Sequence, residues 1–204
     1  MTTLLLIRHG ENEYLKKNRL PGQQAGIHLN ERGRSQAAAL AESLKKLPIK
    51  AIYSSSLERA VETIEPLAKE LGLEIRLRPS LMDIHVGEWT GRSLKSLTRL
   101  KAWSTVQRAP SRFHFPGGES FLQAQERVVS ELDAIAAAHK KGMVAVVFHA
   151  DPIKLAVAYY LGLPLDNFQR LAIQPASVTI LGMHEAGAGL LAMNLIPPFS
   201  IPLK

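Results

Sequence analysis

The sequence has no cysteine among its 204 residues. This excludes disulfides, thiolate nucleophiles and cysteine-based metal sites, and it agrees with a reducing compartment. Long apolar runs are missing too. No stretch approaches the roughly 20 apolar residues of a membrane-spanning helix. The apolar run at residues 4–7 is too short for a signal sequence. A cytoplasmic protein with no membrane role is therefore expected. Acidic residues are the scarcer charge: 18 Asp and Glu stand against 25 Lys and Arg, a formal charge of +7. That balance suits a small-molecule anion such as a phosphate ester. Plain solubility accounts for it as well, because composition does not locate charge. The basic residues form no nucleic-acid module and do not interleave regularly with aromatics, so nucleic acid is not an expected partner.

What is present is enough for one core. The chain is 46% hydrophobic, and a single domain over residues 1–204 is expected. Continuous apolar runs at 4–7 and 143–148 predict buried parallel strands, with a third at 51–53. An alternating segment at 74–78 predicts an edge strand ended by Pro79. Helices are predicted over about 31–46, with Asn30 as N-cap, and over about 57–71, where Pro66 threatens a kink or break and Gly72 fits the stop. Another runs over 120–139, with Leu122, Val128, Val129, Leu132 and Ile135 facing inward. A last one starts near Pro152 and stops at Gly162. Residues 177–183 and 190–194 predict a closing hairpin with a glycine-rich turn. Residues 81–118, irregular and holding both tryptophans, predict an inserted cap. The tail from Pro197 to Lys204 is expected to pack on the body or at an oligomer contact, in a monomer or homodimer. The alternation of strands and helices predicts an α/β fold, with a mostly parallel sheet covered by helices on both faces.

In such sheets sites form beyond the carboxyl ends of strands. His9 and His149 each directly follow a buried strand, so the two can meet. Arg8, His9, Arg59 and His149 together suit a tetrahedral anion. A neutral imidazole can attack phosphorus, and guanidinium groups match phosphate oxygens and stay charged. Each residue also has an ordinary structural reading: a satisfied Arg-His pair, a solvated helix arginine, a histidine at a helix start. By themselves these residues do not separate phosphoryl transfer from metal-dependent hydrolysis.

The segment Leu5-Leu6-Ile7-Arg8-His9-Gly10-Glu11 resembles the signature of the histidine phosphatase superfamily, also called phosphoglycerate-mutase-like. Five further blocks follow in the family's order. They are residues 29–37 around Asn30-Glu31-Arg32-Gly33, residues 54–63 around Leu57-Glu58-Arg59-Ala60, residues 81–91 ending in Gly-x-Trp-x-Gly, Pro116-Gly117-Gly118-Glu119-Ser120, and the Val-Val-Phe-His-Ala stretch ending at Ala150. The resemblance implies a three-layer α/β/α sandwich. It implies that His9 is a nucleophile forming a phosphohistidine, with Arg8, Arg59, His149 and the Ala150 N–H on the phosphate, and with neither cofactor nor metal. Glu11 is given a supporting role, orienting a neighbour. The general acid is usually Glu in the family, and this chain has Asp83 at that place. Asp83 is preferred over Glu88, and a catalytically weak phosphate-binding or protein-interaction module remains an alternative. Asp151 is expected to cap a helix or orient His149.

Hydrolysis is preferred over mutase chemistry. Leu15 stands where the resembling mutases have a phosphate-contacting Asn, and Val86 where a Tyr is common. Leu15, Val86, Trp103 and Phe113 are candidates for a partly apolar substrate pocket. Lys95, Arg99, Lys101, Arg108 and Arg112 keep a basic, mutase-like pocket open.

Overall fold

The computed structural model describes residues 1–199 and 201, and it alternates strand and helix from the start. The elements are β1 (Thr2–Arg8), α1 (Glu13–Lys16), α2 (Glu31–Leu44), β2 (Ile49–Ser54), α3 (Glu58–Leu71) and β3 (Ile75–Leu77). Then follow α4 (Leu94–Leu97), α5 (Lys101–Arg108), α6 (Phe121–Ala138), β4 (Met143–Phe148), α7 (Ala150–Tyr160), β5 (Val178–His184) and β6 (Gly187–Leu195). The strands form a six-stranded sheet in the order β3-β2-β4-β1-β5-β6. β3, β2, β4 and β1 run parallel, β5 is antiparallel to β1, and β6 is antiparallel to β5. Helices cover both faces, giving the expected three-layer α/β/α sandwich.

Period two in the strands explains the two layers of helix. Leu4, Leu6, Val144, Val146 and Phe148 face α6 and α7, packing on Val128, Leu132, Ile153 and Val157. Leu5, Ile7, Ala145 and Val147 face the other way, onto Leu40 and Leu44 of α2 and Ile64 and Leu67 of α3. These strand residues are fully buried. Each of the leucines, isoleucines and valines among them contributes about 1.5–3 kcal/mol relative to staying in water. A strand buried on both faces must read as a continuous apolar run, and that pattern is visible in the sequence.

Several local expectations need correction. Pro66 neither breaks nor ends α3, which runs on to the left-handed cap at Gly72. Leu122 faces solvent rather than the core. Val128, Val129, Leu132 and Ile135 are buried as expected, and at the start of the helix Phe121 and Ala124 turn inward in place of Leu122. The hairpin turn is Glu185-Ala186, while Gly187 and Gly189 belong to β6. The loop after β1 contains the short α1, capped by the Asn12 side chain. In the tail, Phe199 and Ile201 pack on the α2–α3 side of the sheet. Ser200 and 202–204 lie outside the described residues.

Two features of the fold position the site. Parallel pairing of β1 with β4 sets Arg8 beside Phe148. The His9 N–H donates to the Phe148 carbonyl at 3.0 Å. His9 and His149 therefore leave the sheet side by side at its carboxyl end. Residues 79–115 form short α and 3-10 helices around a third apolar cluster that includes Ile84, Val86, Trp89, Phe115 and Phe121. Asp83, Ile84, Val86, Leu94 and Phe115 of this segment line one cleft with Arg8, His9 and Ala150.

Candidate active site

His9 and His149 sit with ring centroids 5.2 Å apart. His9 and His149 are both buried, and Arg59 is 0% exposed. The His9 Nδ1 lies 2.7 Å from the Gly10 carbonyl oxygen. That oxygen can only accept, so Nδ1 carries the hydrogen and Nε2 keeps its lone pair. Burial, followed by Arg59 and Arg8, holds the His9 pKa well below the usual histidine range. The ring is therefore neutral at pH 7, as a nucleophile must be.

The neighbouring cations are held by backbone carbonyls. Arg8 donates to the Ile173 carbonyl at 2.6 Å. Arg59 donates to the carbonyls of Gly22 at 2.7 Å and Gln24 at 3.3 Å. This ties the loop after β1 to α3. The His149 Nε2 lies 2.9 Å from Ser55 Oγ. Burial, and then Arg59 and His9, push the His149 pKa down as well. After these contacts Arg8 Nε, Arg59 Nε and His149 Nδ1 are buried without a partner. Buried donors left unsatisfied are costly. Gathered around one neutral imidazole, such groups can donate to an anion.

Asp83 is the carboxylate at this cluster. Its Oδ2 is 3.6 Å from Arg59 and 3.7 Å from His149 Nδ1. Burial pushes its pKa up to about 6, against the pull of Arg59. Glu88 is exposed and does not line the cleft. The backbone around Asp83 is clamped. Arg127 of α6 donates to the carbonyls of Ser80 at 2.8 Å and Met82 at 3.1 Å, and pairs with Glu119 at 2.6 Å. Glu119 in turn accepts from the His85 N–H at 2.9 Å. The Gly118 backbone presses on this loop so closely that a Cβ there would lie 2.1 Å from the His85 carbonyl oxygen.

The other expected residues fall in different places. Ala150 opens α7 and lines the cleft, where a helix N-terminus favours an anion. Glu11 accepts from Asn30 Nδ2 at 3.0 Å, which orients the α2 cap, and it does not line the cleft. A Cβ on Gly33 would come 2.1 Å from the Glu11 carbonyl, so only glycine lets α2 start this close. Asp151 neither caps α7 nor contacts His149: His149 is the N-cap residue, and Asp151 pairs with Lys154 at 3.1 Å. Leu15 and Val86 line the cleft, whereas Trp103 lines a chamber beside it and Phe113 packs against Trp89. Lys95, Arg99, Lys101, Arg108 and Arg112 do not line the cleft. Among the described residues the cations that do, besides Arg8, are Arg19 and Lys154, which sequence reasoning missed. Arg19 lies in the loop after α1. Lys154 had no signal beyond sitting one helical turn from Ala150.

A sheet with paired histidines at its carboxyl end, one buried and one half-buried arginine and a raised carboxylate suits phosphoryl transfer. A family model described as the histidine phosphatase superfamily (branch 1) matches residues 4–196, and the chain belongs to that superfamily. Phosphoserine phosphatase 1 of Hydrogenobacter thermophilus is 29% identical over 200 residues, covering 96% of this chain and 93% of its own. The probable phosphoglycerate mutase GpmB of Escherichia fergusonii is 30% identical over 188 residues, covering 91% and 87%. The solved structure of Bacillus stearothermophilus YhfR superposes with a TM-score of 0.90 at 28% identity, covering 96% of this chain and 98% of that one. Among the described residues no helix is long and apolar enough to cross a membrane.

Proposed function

We propose that this chain hydrolyses a small phosphomonoester through a phosphohistidine at His9. The observation that carries the reading is the set of three buried, unpartnered nitrogens, on Arg8, Arg59 and His149, around a neutral His9. In the first step the His9 Nε2 lone pair attacks phosphorus. The bond from phosphorus to the alcohol oxygen breaks, and the Asp83 carboxyl proton passes to that oxygen. Arg8, Arg59, His149 Nδ1–H and the Ala150 N–H hold the equatorial oxygens, whose charge they stabilise in the transition state. Ser55 Oγ accepts from the Leu57 N–H, so its own hydrogen is free to point at His149 Nε2. In the second step water attacks phosphorus and gives its proton to Asp83. The N–P bond breaks, its electron pair returns to His9 Nε2, and inorganic phosphate leaves.

Water as final acceptor is favoured over a second hydroxyl of the substrate. A mutase must grip several anionic groups while phosphate moves between them. Here Leu15 and Val86 line the cleft, and the five cap cations do not. Residues 81–118 act in this reading as a cap over the site. The test is a panel of phosphomonoesters assayed for phosphate release with wild type and His9→Ala, together with 3-phosphoglycerate and its bisphosphate primer assayed for isomer exchange. Phosphate release that depends on His9 is expected. Rapid exchange without comparable release would establish the mutase instead. No turnover of any ester would leave a phosphate-binding or interaction module.

A further inference from the structure

The cleft is larger than its phosphate floor and shares part of its wall with a second compartment. Its volume is about 470 Å³. Leu20, Leu94 and Phe115 line both the cleft and an adjoining chamber of about 120 Å³. Trp89, Trp103 and Phe121 wall the chamber beyond them, and the two tryptophans stack with centroids 6.2 Å apart. The doorway is preformed. The Leu20 N–H donates to the Arg92 carbonyl at 2.9 Å, the Gly91 N–H to the Leu20 carbonyl at 2.7 Å, and the Leu94 N–H to the Asn18 carbonyl at 2.8 Å. Two backbone strips are thus zipped together beside the phosphate site.

Chemistry limits what this compartment takes. Its lining is mainly aromatic and aliphatic. Of its polar side chains, Gln107 is exposed at the edge, Gln169 donates to the Val106 carbonyl at 2.8 Å, and Asp151 stands where chamber and cleft meet. The chamber's lining holds this one carboxylate and, among the described residues, no cation, so a second anionic group finds no partner there. Among the described residues, the two cations of the cleft outside the phosphate cluster do not line the chamber: Arg19 donates to the Gly91 carbonyl at 2.9 Å and Lys154 pairs with Asp151 at 3.1 Å. An apolar cavity of about 150 Å³ in another protein takes up benzene, so a chamber slightly smaller suits a compact alkyl or aryl group.

We propose that this chamber receives the apolar part of the leaving alcohol. The substrate class is then a phosphomonoester of an uncharged alcohol that carries a compact alkyl or aryl group a few carbons from the ester oxygen. The inference rests on the hydrolase reading of the same cleft, with phosphate held at His9.

The test is a series of n-alkyl phosphates from ethyl to hexyl, with phosphoserine and 3-phosphoglycerate alongside, each followed by phosphate release. For wild type, kcat/KM is expected to rise about fourfold per methylene once the chain enters the chamber, following the usual value of a buried methylene, and then to level off. Val106→Phe, which fills the chamber, is expected to bring the hexyl-to-ethyl ratio down toward one. Trp103→Ala, which enlarges it, should move the plateau to a longer chain, and it serves if the Val106 variant does not fold. A flat alkyl series, or kcat/KM highest for the two anionic alcohols, with phosphate still released, overturns the chamber assignment and leaves the hydrolase reading standing. An absence of phosphate release from every ester removes the reading beneath it.

Discussion

Asp83 is the residue at which one methylene matters most. An aspartate reaches less far than the glutamate usual in this superfamily, yet it lies within 3.7 Å of both Arg59 and His149. Its pKa of about 6 keeps a protonated fraction near neutrality. A general acid works only in its protonated form. The kcat/KM for an alkyl phosphate should therefore fall above about pH 6, by about tenfold per unit once the group is ionised. Asp83→Asn should remove that limb and lower kcat/KM by roughly 10²–10⁴-fold. The loss should shrink on p-nitrophenyl phosphate, whose leaving group needs no proton. A pH–rate profile of both proteins on both substrates checks this. A limb that persists in Asp83→Asn belongs to another group. Glu88→Gln should leave the profile in place, since that side chain is exposed and away from the cleft.

At the scale of elements, α6 does more than cover the sheet. Its Arg127 reaches the backbone on both sides of Met82, and with Glu119 it fixes the loop that carries Asp83. A short acid on a loosened loop loses its alignment, so Arg127→Met should reduce activity on alkyl phosphates by about 10–100-fold, in the range by which a small misplacement of a reacting group slows a reaction. It should do much less to p-nitrophenyl phosphate. Equal losses on the two substrates would mean that Arg127 supports the fold rather than the acid. This clamp was not legible in the sequence, because Arg127 reads there as one more polar residue of an amphipathic helix. The two central strands were legible, since burial on both faces imposes an unbroken apolar run. So was the pairing of His9 with His149, because each follows such a strand and parallel neighbours end together. Helix faces were less secure: Leu122 is apolar and exposed, and periodicity alone does not say which of two adjacent apolar residues turns inward. Asp151 was misread because its place at the start of α7 suggested a cap, while the residue that takes the cap position is His149.

For the whole molecule, the site sets a stability cost that depends on pH. His9 and His149 are held neutral when folded, with pKa values well below the ordinary histidine value. The unfolded chain takes up protons on both near pH 6.5, so their contribution falls as pH drops below that value. Asp83 acts in the opposite sense. Its raised pKa lets the folded state bind a proton from about pH 6 downward that the unfolded chain does not yet bind. Two histidines against one aspartate leave a net loss of stability as pH falls from 7 toward 5. Thermal unfolding between pH 7 and pH 5 should show a smaller drop in Tm for His9→Asn than for wild type. Equal drops would mean that His9 is not held neutral by the fold.

The central claim is a covalent phosphate on one imidazole. It is tested most directly by mixing the protein with a radiolabelled phosphomonoester that it hydrolyses and quenching within one turnover. Phosphohistidine is stable to base and labile to acid, so the quench and peptide mapping are done under alkaline conditions. The account predicts label on the peptide containing His9, lost on mild acid treatment and absent from His9→Ala. Phosphate release without such label, or label at His149, would contradict it.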